Sequence, residues 1–261
     1  MTDTSNGSGG QAEFSAPALI RIVKWTGLVL FGPFYFLFIA FIPVLCQSRR
    51  GFRGWYWRTI KRACSRLMWL LSTRVEMGAA AHDALRHDEN SIIVINHRSH
   101  LDGFALMDAL PAEKWITFGA KKELCDAALL RRGFKSAGLV EIDRKSGKLA
   151  LQTLSDAVKA MPTRRSLVLF PEGTRVGTET LGEFKPGAVL VARETGRTIR
   201  PIVILNSDRL LPGGKRLPKS GSIRIEVLEP FLCDPNASAD ADVARLRSAM
   251  IEVFEGRQQA L

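Results

Sequence analysis

The sequence predicts an α/β protein: a mostly parallel layered sheet flanked by helices, with an N-terminal helical membrane anchor. Three observations carry that expectation. From about residue 75 onward, short Ile- and Val-rich runs alternate with helical patterns. An uncharged apolar run covers residues 25–46, and the excess positive charge is gathered around it.

The expected strands are residues 91–96, 115–118, 139–142, 166–170, 199–205 and 222–228, each apolar and bounded by Gly, Pro or charge. Between them, Leu151, Leu154, Val158 and Met161 recur at spacings of 3, 4 and 3, which is one face of a helix. Further helices are expected over 188–194 and over 240–254, the latter with Val243, Leu246, Met250 and Val253 on one side. Strands alternating with helices imply parallel pairing, and open sheets of that kind place ligands beyond the carboxyl ends of their strands.

The N-terminal region is different. The formal charge is +11, but ten Arg and Lys residues fall between Glu13 and Glu76 with no acid among them. Elsewhere 27 positive charges face 26 negative ones, so nucleic acid is not an expected partner. The 22 residues of 25–46 would form a helix of roughly 33 Å, enough to cross the hydrocarbon layer. Pro33 and Pro43 each remove a backbone donor, so a kinked or re-entrant hairpin competes with a straight span. Residues 49–74 mix Arg and Lys with Trp55, Tyr56, Trp57 and Trp69, which suits a helix in the cytoplasmic headgroup layer. Residues 1–16 read as a disordered tail without the charged start of a signal peptide. The expected domains are therefore a tail (1–16), membrane-anchoring helices (17–75) and a remaining domain (76–261). Cys46, Cys64, Cys125 and Cys233 have no paired spacing and imply reduced thiols.

Two stretches carry chemistry. In "INHRSHLD" (95–102), His97 follows an apolar strand and Asp102 opens a helix, with Ser99 as the expected N-cap. An Asp bonded to one imidazole nitrogen leaves the other as a base. The plainer alternative is that Asp102 only favours the helix N-terminus and His97 only ends the strand. A metal site would need His97, His100 and Asp102 together, but His100 is expected to point away and the later strand ends add no histidine. The second stretch is "LVLFPEGTRVGTETLGEFKPGA" (167–188). Gly173 permits close backbone approach and Arg175 can fork onto a phosphate, although Pro-Glu-Gly-Thr is also an ordinary turn.

Together, "NHRSHLD" and "FPEGTR" resemble the His-x4-Asp and Glu-Gly-Thr-Arg motifs of the glycerolipid acyltransferases, in particular the 1-acyl-sn-glycerol-3-phosphate acyltransferases. "AKKEL" (120–124), "GLVEIDR" (138–144) and "IRPIVI" (199–204) are similar to further family blocks and fall in the family's order. Glu141 and Val176 depart from it, standing where an apolar residue and a serine are usual. The resemblance implies acyl transfer from a thioester, acyl-CoA or acyl-carrier protein, to the sn-2 hydroxyl of lysophosphatidate, without cofactor or metal. It implies His97 as base and Asp102 as its orienting partner. Glu172, Gly173, Thr174, Arg175, Arg144, Lys121 and Lys122 are implied as acceptor-binding residues. The implied setting is an inner or plasma membrane, with membrane lipids as partners and the catalytic domain facing the cytoplasm. Another lysolipid acceptor, or a metal-dependent membrane hydrolase, are the alternative functions.

Overall fold

In the computed structural model, the sheet is built from β1 (Thr73–Met77), β2 (Ile92–Ile95), β3 (Trp115–Lys121), β4 (Val140–Ile142), β5 (Arg165–Leu169), β6 (Ile199–Leu205) and β7 (Gly221–Val227). Its helices are α1 (Phe52–Leu70), α2 (Ala79–His87), α3 (Asp102–Ala109), α4 (Gly147–Lys159), α5 (Gly187–Thr195), α6 (Ser207–Leu210) and α7 (Ala239–Gln258). The structure describes residues 20, 22–30, 32–34, 37, 52–122, 138–143, 147–177, 180–213, 215 and 218–258.

The strand order is β1-β7-β6-β2-β5-β3-β4, and every neighbouring pair is parallel except β6 with β7. All six expected strands are present. β3 runs three residues past the expected Phe118, because Gly119, Ala120 and Lys121 pair with β4. β1 was not expected; it pairs with β7 at the sheet's far edge. It also crosses residue 75, so the sheet includes chain that composition alone assigns to the N-terminal segment.

Side chains alternate across the central strands as the pleat requires. Ile93 and Ile95 of β2 and Ile202 and Ile204 of β6 face one core, with α1 and α3. Ile92, Val94 and Val203 face the other, with α4, α5 and α7. Each of these strand side chains is completely buried, a contribution of roughly 1.5–3 kcal/mol apiece. A polar cluster sits among the amino ends of the strands: Lys114 Nζ donates to Asp88 and, at 2.8 Å, to Ser166 Oγ. Burial lowers the Lys114 pKa against the opposing pull of Asp88.

α1 is expected to lie in a headgroup layer, and the structure divides its surface. Tyr56, Trp57, Cys64 and Met68 are buried, and Trp57 stacks on Trp115 with ring centroids 6.2 Å apart. Burial pushes the Cys64 thiol up to about 12, so it is an inert packing group. The opposite face exposes Trp55, Arg58, Arg62, Arg66 and Trp69. Residues 22–30 are helical, and Lys24 Nζ donates to the carbonyl of Trp69 at 2.9 Å. Among the described residues, no helix is long and apolar enough to cross a membrane. Most of the 25–46 run beyond residue 30, and the 1–16 tail, lie outside the described residues.

Candidate active site

β2 and β5 are adjacent and parallel, with Ile92 opposite Leu167 and Val94 opposite Leu169. Their carboxyl ends therefore release the two motif loops side by side, although His97 and Glu172 are 75 residues apart. Asn96 fixes the first loop. Its buried side-chain amide donates to the Ile204 carbonyl at 2.9 Å and accepts from the Ile204 N–H at 2.7 Å. The side chain thus continues the ladder beyond the last residue of β2.

Past that anchor the chain turns around a carboxylate. Asp102 Oδ2 accepts from His97 Nδ1 at 2.9 Å and from the backbone N–H groups of Arg98 and Ser99, both at 2.8 Å. An oxygen satisfied by three donors fixes the imidazole tautomer: Nδ1 carries the hydrogen and Nε2 keeps its lone pair. Asp102 is completely buried, whereas the His97 side chain keeps 23% of its surface exposed, enough for a substrate to reach it. The ring lies against Phe170 with centroids 4.0 Å apart, and Phe170 in turn stacks on Phe118. The regular turns of α3 begin at Asp102, three residues after the expected cap Ser99. Ser99 Oγ accepts from the Leu101 N–H at 3.2 Å, the bond expected of an N-cap, and donates to the Leu211 carbonyl at 3.0 Å; Leu101, immediately before α3, makes no side-chain cap bond. Asp102 adds to that local ordering by accepting from the Arg98 and Ser99 N–H groups.

Glu172 joins the second loop to the first. Its Oε1 accepts from the His97 N–H at 2.8 Å and its Oε2 from the Gly182 N–H at 3.2 Å. Burial raises its pKa, and those two backbone bonds pull in the opposite direction. The Val176 N–H donates back to the His97 carbonyl at 3.0 Å, so both peptide groups flanking His97 are held by the Glu-Gly-Thr-Arg loop. Gly173, at φ +72°, sits in the left-handed region; a Cβ there would meet Lys185 Nζ at 3.1 Å. Thr174 and Arg175 are exposed at the rim, and Arg175 donates toward the ring of His100. His100 thus lies beside the arginine. Lys122 is exposed just beyond the carboxyl end of β3, on the same edge of the sheet. Arg144 and the side chain of Lys121 lie outside the described residues. Among the described residues, no group of three or more His, Cys, Asp or Glu could hold a metal ion.

These loops can be compared with known proteins. An acyltransferase family model matches residues 79–205. A 1-acyl-sn-glycerol-3-phosphate acyltransferase of Helicobacter pylori is 30% identical over 178 residues, covering 68% of this chain and 72% of that protein. The chain belongs to the 1-acyl-sn-glycerol-3-phosphate acyltransferase family. The human alpha enzyme of that name is 29% identical over 245 residues, covering 92% of this chain and 82% of its own. A probable member from Mycoplasma genitalium is 32% identical over 176 residues, covering 64% of this chain and 65% of the other. The fold matches the crystal structure of the 1-acyl-sn-glycerophosphate acyltransferase of Thermotoga maritima. The TM-score is 0.71 at 19% identity, over 91% of this chain and 95% of that one.

Reading the motifs of this acyltransferase from sequence missed Arg98. Its guanidinium is buried, donates to Asp208 Oδ2 at 2.8 Å through Nε, and lies 5.0 Å from the Phe254 ring centroid. It ties the loop carrying His97 to α6 and α7. Sequence gives no sign of that pairing: the near acid, Asp102, is taken by His97 and two backbone N–H groups, and Asp208 lies 110 residues away.

Proposed function

We propose that the chain transfers a fatty acyl group from an acyl thioester to the sn-2 hydroxyl of 1-acylglycerol 3-phosphate, giving phosphatidate. The observation that carries this reading is the His97–Asp102 pair, held against the Arg175-bearing turn by backbone hydrogen bonds in both directions. His97 Nε2 removes the hydroxyl proton as the oxygen attacks the thioester carbonyl. The imidazolium formed is stabilised by Asp102, and its proton passes to the departing thiolate. General-base assistance of this kind contributes on the order of 10²–10⁴ in rate. The thioester is already activated, so no acyl-enzyme is needed. The ordering of the two loops gives Glu172 its role: both of its oxygens serve backbone N–H groups, and it shapes the acceptor site from beneath. Arg175, Lys121, Lys122 and Arg144 supply positive charge for the phosphomonoester, with Gly173 and Thr174 lining the turn. Phe170 and Phe118 offer an apolar wall beside the base for a fatty chain.

Substrate and product are lipids, so the site works at a bilayer surface. The reading includes an N-terminal anchor over residues 17–75 and a cytoplasm-facing catalytic domain, at an inner or plasma membrane. Support comes from the exposed Arg and Trp face of α1 and from Ile22, Val23, Val29 and Leu30, all exposed apolar side chains. The test offers purified protein a labelled acyl thioester and a panel of lysolipid acceptors, alongside His97→Ala. Labelled phosphatidate from the wild type, and none above background from the variant, is expected. Full turnover in His97→Ala would remove the proposed base, and exclusive use of an acceptor without a phosphomonoester would remove the proposed substrate.

A further inference from the structure

His100 is the histidine of the first motif that the chemistry above does not use. The turn ahead of α3 sets it on the same rim as Arg175, and Nη1 of that arginine reaches the imidazole. Both side chains are exposed. A guanidinium carries donors and positive charge only, so its closeness to the ring disfavours the imidazolium. Three groups face this ring electrostatically: Arg175 from the β5–α5 connection, and His97 and Asp102 from its own segment. Burial first, then Arg175 and His97, lowers the His100 pKa below the usual 6.5, and Asp102 opposes them.

We propose that His100 is a second ligand for the acceptor's phosphomonoester, working with Arg175 and taking up a proton as that group binds. The inference rests on the reading of the acceptor given above. Before binding, the neutral ring holds the guanidinium at the rim close to the base. A phosphate dianion then claims the N–H donors of Arg175 and frees the imidazole lone pair. Its negative charge favours the imidazolium, which becomes a donor to the same phosphate. An acceptor without phosphate supplies no such field, so the pair discriminates by charge as well as by hydrogen bonds. Because the His100 pKa is low in the free site and higher in the complex, binding strengthens as pH falls through the bound-state value. It levels off below the free-site value.

The experiment measures acceptor KM and kcat for full-length wild type, His100→Gln and His100→Ala between pH 5.5 and 8.5, with 1-acylglycerol 3-phosphate and an acyl thioester. Thermal melts confirm that the variants are folded. Taking the ratio of variant to wild-type KM at each pH cancels titration of the acceptor's own phosphate. Near pH 6 the ratio is expected to be about ten, the value of one charge-assisted hydrogen bond, and to shrink toward one at pH 8.5. The loss should fall on acceptor KM and leave thioester KM alone. A ratio that is flat with pH, or a loss confined to kcat, overturns the inference. Wild type that never acylates the phosphate-bearing acceptor instead overturns the functional reading on which it stands.

Discussion

Replacing Asp102 by Asn tests the geometry of the base at its most buried point. Oδ2 of Asp102 holds three N–H donors within 2.9 Å, and Oδ1 is buried with no hydrogen-bond partner among the described residues. If the Asn carbonyl takes the Oδ2 position, three charge-assisted bonds become neutral ones, each weaker by about 1 kcal/mol. The new NH₂ group then occupies the Oδ1 position without an acceptor, which costs about 1–3 kcal/mol more. Relief from burying a charge offsets part of this, so a net destabilisation of about 2–4 kcal/mol is expected in urea denaturation. If the amide flips, its NH₂ donates to Nδ1, the hydrogen moves to Nε2, and the base is lost. In either arrangement the imidazolium loses its counter-charge. We therefore expect kcat to fall about 10²–10⁴-fold, with thioester KM nearly unchanged. Thiol release from the acyl thioester, followed with a colorimetric reagent under conditions where the variant is shown to be folded, gives the rate. A folded Asp102→Asn protein retaining a tenth or more of wild-type kcat would refute the orienting role.

Three further outcomes are expected. Gly173→Ala places a Cβ on a residue at φ +72°, so stability should drop by about 1–2 kcal/mol; a change too small to measure by denaturation would mean the turn relaxes freely. Glu172 has a raised pKa in the folded state, so its contribution to stability is fully present below its ordinary value of 4.5 and is lost as pH rises through the folded value. The stability of wild type relative to Glu172→Gln, which cannot titrate, should accordingly fall as pH rises across that window, and denaturation series that diverge in the other direction would contradict the burial argument. Reversing Arg58, Arg62 and Arg66 together to Glu should weaken binding to anionic vesicles at least about a hundred-fold, since each cation near such a surface contributes about 1 kcal/mol. Unchanged co-sedimentation would move the membrane face elsewhere.

Much of the fold is legible because buried strands carry their own pattern. Ile92–Ile95 is apolar on both faces, as is Ile199–Leu205 apart from Arg200, and the helical period between strands is plain. Thr73–Met77 escapes because it is an edge strand whose Arg74 and Glu76 flank a single Val75, inside a basic segment. α1 shows a different limit. An apolar helix face looks the same in sequence whether it meets lipid or a sheet, and here Trp57, Cys64 and Met68 meet the sheet. In the site, the spacing of His97 and Asp102 is readable because one ends a strand and the other opens a helix. The work of Glu172 is not, because its partners are backbone N–H groups, which leave no mark on sequence. Asp208, the partner of Arg98, lies 110 residues away on a four-residue helix, too far and too short to announce itself.

The way the two loops are joined bears on how acceptor choice can change. His97 is gripped at its N–H by Glu172, at its carbonyl by Val176 and at its ring by Asp102, so the base cannot move independently of the Glu-Gly-Thr-Arg turn. A substitution at any buried member of that unit misplaces the base together with the turn, and a misplacement of about 1 Å can cost a hundred-fold in rate. Acceptor specificity is therefore not free to vary through Glu172 or Asp102. It is free to vary at the exposed rim, where Arg175 and Lys185 contribute charge, and His100 and Thr174 polar groups, without holding the His97 imidazole. Exchanging those side chains should redirect the enzyme among lysolipid headgroups while leaving the proton transfer at His97 intact.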